Sequence, residues 1–352
     1  MAGSLIPATR PGSGGSSGSG GPDGPDGPVE GVRSRPVPAW ARAALRLTGL
    51  LARRALLLAV LLACVFAAVE LLPGDAANAT SERGESAADL AERRRLLGLD
   101  RPVPERFAEW MTGLPTGDLG TSARGEPVAE LLSRPFPNTL LLGGLALLVT
   151  LVVSVALGCW AASRPGSLAD RAVSGSATGI LALPEFVVAV ALVLVFALWT
   201  DWLPAVTLTD ADGSPASWEM LVLPVLALAI PQIGWNTRII RAALADEAKA
   251  PHIETAVLDG LPRHRVFLHH LLPGALPTIA AGLATSTGML LGGAVVVETI
   301  FNYPGIGSVL AGAVADRDSP LIAGVVAVTG VVITGVLLLA DLVRAWASGG
   351  RT

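Results

Sequence analysis

Charge is the first thing this sequence is short of. Only 15% of its 352 residues are Asp, Glu, Lys or Arg, against 51% that are hydrophobic, whereas an ordinary globular domain carries about one quarter charged residues. That balance excludes a water-soluble fold for most of the chain, and the apolar excess must face lipid. Cysteine is scarce as well. Cys64 and Cys159 both lie inside apolar runs, so neither a disulfide framework nor a thiolate metal site is supported. Lysine occurs once, at Lys249, without a glycine-rich run before it, and no Gly-x4-Gly-Lys-Ser/Thr phosphate loop occurs anywhere, so no nucleotide-phosphate site of that kind is marked in this chain. The four histidines, His252, His264, His269 and His270, lack Cys or acidic neighbours at metal-ligand spacing and are read as surface or interface residues. The net charge of −4 gives no reason to expect nucleic acid as a partner. No cofactor is called for, and no recognisable catalytic motif marks a membrane-bound protease or acyltransferase.

What the chain does have is long apolar runs. Residues 1–45 are a Gly/Ser/Pro-rich segment with too little apolar surface to offset chain entropy, and they are expected to form a disordered cytoplasmic tail. Beyond it lie six stretches, approximately 55–72, 139–162, 173–199, 220–240, 276–297 and 321–343, that approach or exceed the roughly 20 residues needed to cross ~30 Å of hydrocarbon. Only helices can do so there, because every backbone donor must find its partner within the segment. The predicted fold is therefore an all-α integral membrane protein with six transmembrane helices over 46–345. An extracytoplasmic loop (73–138), a cytoplasmic loop (242–275) and a short cytoplasmic tail (346–352) complete it. With both termini inside, sixteen of the twenty-five basic residues fall on cytoplasmic segments and eight of the rest on the one long outer loop, as the positive-inside rule allows. Arg53-Arg54 before an apolar run, and Leu61-Leu62-Ala63-Cys64 within it, imitate secretion and lipoprotein signals. A retained first helix accounts better for the unbroken run past Cys64 and the five spans that follow.

The most informative polar segment is the inner loop. Pro251 and Pro262 suit first turns of helices, and Gly260 suits the left-handed residue that ends one, so two short helices with a sharp bend at Gly260 are expected. Ile253, Ala256 and Val257 fall on one side of the first helix, and Glu254 and Asp259 project elsewhere. The pattern Glu254-x-Ala256-x3-Gly260, followed by Leu272-Pro273, resembles the cytoplasmic coupling motif of binding-protein-dependent ABC importer permeases. Thr255 stands where that motif usually has alanine and His270 where it has isoleucine. Leu72-Pro73-Gly74-Asp75, Leu97-Gly98-Leu99-Asp100-Arg101-Pro102, Gly117-Asp118-Leu119-Gly120-Thr121-Ser122 and the run Gly292–Gly307 are similar to segments of the oligopeptide, dipeptide and nickel permeases. The likeness is to the subunit type with a long first outer loop and covers about residues 45–345. It implies several partners: a second, unlike permease subunit, two cytoplasmic ATPase subunits that dock on Glu254, Ala256, Gly260, Leu272 and Pro273, and an extracytoplasmic solute-binding protein.

Glu185, beside Pro184 in the third apolar run, is the candidate for a carboxylate within the bilayer, which costs on the order of 3 kcal/mol unless paired. Two roles are open to it: contact with a cationic substrate group along the transport path, or packing against a neighbouring helix. Gly288 and Gly292 form a small-x3-small pair read as helix packing. Glu70, Glu298 and Asp341 lie near span ends and are expected to need no special role. An ion-coupled secondary transporter or channel is the alternative function. It would require inverted repeats and a relay of buried carboxylates, neither of which is visible.

Overall fold

The computed structural model describes residues 39–71, 76–79 and 86–349. Contacts divide the chain into Met1–Leu50 and Leu51–Thr352, and the packing below concerns the second unit. The expected tail over 1–38 and the segment Leu72-Pro73-Gly74-Asp75 lie outside the described residues. Residues 39–45 are helical, and helix continues over 346–349, so both terminal segments assigned as tails are partly continuations of long helices.

The first helix, α1 (Ala39–Glu70), is followed by four short ones, α2 (Ala76–Ala79), α3 (Ala87–Leu96), α4 (Val103–Gly113) and α5 (Val128–Ser133). The bundle then continues with α6 (Pro135–Ala162), α7 (Leu168–Leu181), α8 (Glu185–Leu192, prolonged by a π-helical turn over Val193–Trp199) and α9 (Glu219–Glu247). After α10 (Pro251–Leu258) and α11 (Arg263–Val266) come α12 (Leu272–Ile300), α13 (Ile306–Ala315) and α14 (Ser319–Gly349). Among the described residues strand pairing is confined to two isolated bridges, Thr121–Pro127 and Thr209–Pro215.

Among the described residues, five segments are long and apolar enough to cross a membrane: Thr48–Val69, Val128–Ala162, Glu219–Glu247, Arg263–Ile300 and Ser319–Val343. The third apolar run differs from expectation. It is a pair, Leu168–Leu181 and Glu185–Trp199, bent by 102°, and counts as a sixth span only if the pair is taken as one. The cause is local: Pro184 takes an extended conformation at the start of α8, and a proline disfavours helical geometry in the residue before it.

Helix α9 is the most enclosed, with Leu223, Leu228, Ile240 and Leu244 buried. It packs against α6 closely enough that a Cβ on Gly158 would lie 2.7 Å from Ile240 Cγ2. Among its buried polar side chains Asn236 is tied to α12 and to its own helix, Nδ2 donating to Ser286 Oγ (2.6 Å) and to the Gln232 carbonyl (2.9 Å).

At the opposite end from α10, residues 103–128 pack back onto α1 and α14. Phe66 of α1 meets Phe107 edge-on at 5.6 Å, and Trp110 donates its indole N–H to the Leu119 carbonyl at 2.8 Å. Gly120, at φ +81°, passes so close to Trp110 Cδ1 that a Cβ would lie 3.2 Å away. The segment is pinned by Asp318, which accepts from the Ala123 amide (2.6 Å) and the Leu321 amide (3.1 Å). Arg124 pairs with Asp316 at 2.7 Å beside it. Burial pushes the Asp318 carboxyl above the usual carboxylate range, opposed by those two amides. Asp318→Asn retains one acceptor for two amides and should weaken this attachment by about 1–2 kcal/mol. Hydrogen exchange at Ala123 and its neighbours should then rise about tenfold, with α6 and α9 unaffected; unaltered exchange at Ala123 would refute the attachment.

Candidate functional site

The loop between α9 and α12 forms a compact hairpin. Pro251 opens α10 in its first turn, after Ala250 in extended conformation. The helix stops at Asp259, and Gly260 turns the chain at φ +76°, its amide donating to the Val257 carbonyl at 3.0 Å. Only glycine adopts that conformation without penalty. Pro262 then lies just outside α11 as its cap rather than in its first turn. Ile253, Ala256 and Val266 are buried together, with Leu261 and Leu271 against them, so the apolar side of α10 is filled by the hairpin's own return. Val257, assigned by sequence to that side, is instead 59% exposed beside Leu258 at 79%. The outward face therefore comprises Glu254, Thr255, Val257 and Leu258, all exposed.

A π-helical turn over Phe267–Leu271 joins the hairpin to α12. Leu272 packs with Ile240, Leu244, Ala275 and Ile279, while Pro273 is exposed in the first turn of α12. Glu247 at the end of α9 sits over Gly274, where a Cβ would overlap its side chain, and His252 Nε2 of α10 lies 3.4 Å from Glu247 Oε1. Of the five residues picked out for coupling, Ala256, Gly260 and Leu272 build and anchor the hairpin, whereas Glu254 and Pro273 remain on its surface. Among the described residues, no group of three or more His, Cys, Asp or Glu side chains could hold a metal ion.

Glu185 occupies the first turn of α8. Its carboxylate lies against Gly293 of α12, a position a Cβ would overlap, and Oε1 is buried without a hydrogen-bond partner. Packing against a neighbouring helix is thus observed, but that helix supplies Oε1 with no donor.

Two clusters went unrecognised in the sequence. Asp170 of α7, 3% exposed, holds Arg241 of α9 in a two-pronged ion pair, Nε to Oδ1 at 2.5 Å and Nη2 to Oδ2 at 2.8 Å. Ser167 caps α7 by accepting from the Asp170 amide, and Ser167-x-x-Asp170 was the available signal, though it announces only a helix start. The second cluster centres on Glu298, expected to need no special role and in fact completely buried. Its two oxygens accept from Thr139 Oγ1 (2.7 Å) and the Gly307 amide (2.6 Å). Thr139 Oγ1 in turn accepts from the Ile306 amide at 2.8 Å. Asp341, also set aside, pairs with Arg54 at 2.9 Å.

A bundle of lipid-length apolar helices with a polar hairpin projecting from one end defines a multi-pass membrane component. Residues 154–349 match the family described as binding-protein-dependent transport system inner membrane component, and the chain belongs to that family. It is 32% identical over 280 residues to a probable peptide ABC transporter permease of Sinorhizobium fredii, covering 79% of this chain and 88% of the relative. It is also 32% identical over 289 residues to a glutathione transport system permease of Pectobacterium atrosepticum, covering 82% of this chain and 92% of the relative. Among solved structures, the inward-facing MetNI methionine ABC transporter aligns with 61% of this chain and 95% of that chain, at 18% identity and a TM-score of 0.49.

Proposed function

We propose that this chain forms half of the translocation path of an ATP-driven importer for peptides or a related small solute. Its relatives are named for peptides and glutathione, and solute chemistry of that kind is carried here as part of the proposal. In this reading the bent pair α7–α8 is one span, making six, and both termini are cytoplasmic. A second, unlike permease completes the path, a separate extracytoplasmic protein delivers the solute, and two cytoplasmic ATPases supply the energy. Glu185 borders the path, where its unpartnered oxygen would meet a cationic group such as the amino terminus of a peptide.

The observation that carries the reading is the hairpin. Its inner face is filled by Ile253, Ala256 and Val266, so α10 can move as a rigid body and push on α12 through Leu271 and Leu272. Its outward pair Val257 and Leu258 is suited to an apolar partner, which an ATPase groove would provide. Co-purification in mild detergent tests this. Leu258→Asp places a charge in the docking face without touching the hairpin's interior, and should reduce recovered ATPase more than about fivefold, as for a residue central to an interface. Recovery equal to wild type would show that the ATPase does not dock on this face of α10.

A further inference from the structure

An open cavity of about 390 Å³ lies between α7 and α9, lined by Ser174 and Thr178 on one side and Trp235, Arg238 and Arg241 on the other. None of its lining residues is acidic. Arg241 is engaged by Asp170, whose carboxylate neutralises it and fixes the guanidinium in place. Arg238 is exposed and, among the described residues, has no ion-pair partner. The Trp235 indole N–H is buried and has no hydrogen-bond acceptor, an arrangement that leaves a donor unsatisfied in a low-dielectric setting.

The surface around the cavity is not built for lipid. Helix α8 exposes Phe186, Val190, Leu194 and Leu198, as a lipid-facing helix should. Apart from Leu168 in its first turn, helix α7 exposes Arg171, Ala172, Gly175, Ser176, Thr178 and Gly179, small or polar groups suited to water or a hydrated solute. The same bent pair carries Glu185 beyond its break. A peptide has a cationic and an anionic end, and the α7–α9 cavity with Glu185 offers one site of each opposite sign.

We propose that the open Arg238 cavity, set over the packed contact of α7 and α9, binds the terminal carboxylate of the transported peptide. The guanidinium of Arg238 presents a planar set of donors matched to a carboxylate, with Arg241 held in register by Asp170 and the hydroxyls of Ser174 and Thr178 at the rim. This rests on the peptide-importer reading given above.

The test is uptake by the complete importer in proteoliposomes, comparing one peptide as the free acid and as its C-terminal amide. The binding protein is unaltered, so its own preference is constant and cancels when each variant's acid-to-amide ratio is divided by that of wild type. Arg238→Gln should lower the ratio about fivefold, the loss of one charge-assisted contact in a partly solvated site, and Arg238→Lys should recover much of it. A ratio in Arg238→Gln equal to that of wild type overturns the inference. So does a defect that follows anionic lipid content and is the same for acid and amide, which would make the cavity a headgroup site. A wild-type importer that takes up neither peptide overturns the peptide reading itself, and this inference with it.

Discussion

Glu298→Ala should cost the protein about 3–5 kcal/mol of stability, lowering its unfolding temperature in detergent by on the order of 10 °C. The carboxylate is fully buried and both oxygens are occupied, by Thr139 Oγ1 and the Gly307 amide. Removing it strands two buried donors and opens a cavity where three segments meet: the start of α6, the end of α12 and the start of α13. Neighbouring contacts share the load. Tyr303 donates to the Asn138 carbonyl at 2.8 Å, and Asn138 Nδ2 to the Pro304 carbonyl at 2.8 Å. Glu298→Gln preserves the shape but turns one acceptor into a donor, and should cost roughly half as much. Gly307→Ala gives an independent check. Its Cβ would lie 2.5 Å from the Val295 Cα, and backbone cannot swing aside as a side-chain tip can, so a loss comparable to Glu298→Ala is expected. Fluorescence-detected size exclusion after heating measures all three. Wild-type melting in Glu298→Ala would contradict the assignment of this carboxylate as the clasp of that end of the bundle.

Gly260→Pro should reduce solute-stimulated ATP hydrolysis by the assembled importer more than tenfold while leaving membrane insertion intact. The residue sits at φ +76° and donates its amide to Val257. Proline is confined to φ near −65° and has no amide hydrogen, so both features are lost and α11 can no longer return over Ile253 and Ala256. The face that α10 presents would then be decoupled from α12. Gly260→Ala separates conformation from space. No atom lies within 4 Å of an added Cβ, so the only penalty is the left-handed backbone, about 1 kcal/mol, and partial coupling should survive. Equal hydrolysis by wild type and Gly260→Pro would mean that the bend plays no part in transmission.

The sequence made some of this legible because the relevant physics is local. Apolar runs of spanning length announce themselves one by one, and Pro251, Gly260 and Pro262 punctuate the hairpin at positions where backbone restriction alone places a turn. Pro184 was an equally local warning of the break between α7 and α8, but hydropathy averages across it. Other features were hidden because they depend on distance along the chain. Thr139 meets Glu298 across 159 residues, and Asp170 meets Arg241 across 71. Neither residue's neighbours in sequence reveal that pairing, so Glu298 looked like an ordinary span end and Arg241 like one more cytoplasmic charge. The face of α10 was misjudged at Val257 for a related reason: helical periodicity locates an apolar side, while the return of α11 decides how much of that side is covered.

The proposed passage of a peptide-like solute through this membrane component, at the expense of ATP hydrolysed elsewhere, is tested by reconstitution. The chain would be assembled with the proposed second permease and ATPases in sealed vesicles, and uptake of a labelled peptide followed with the binding protein supplied on the opposite side from ATP. Accumulation that requires both ATP and binding protein, and that Gly260→Pro abolishes, is the predicted result. Accumulation driven by an ion gradient without ATP would make the protein a secondary transporter, and accumulation undiminished in Gly260→Pro would show that the hairpin does not transmit the energy of ATP.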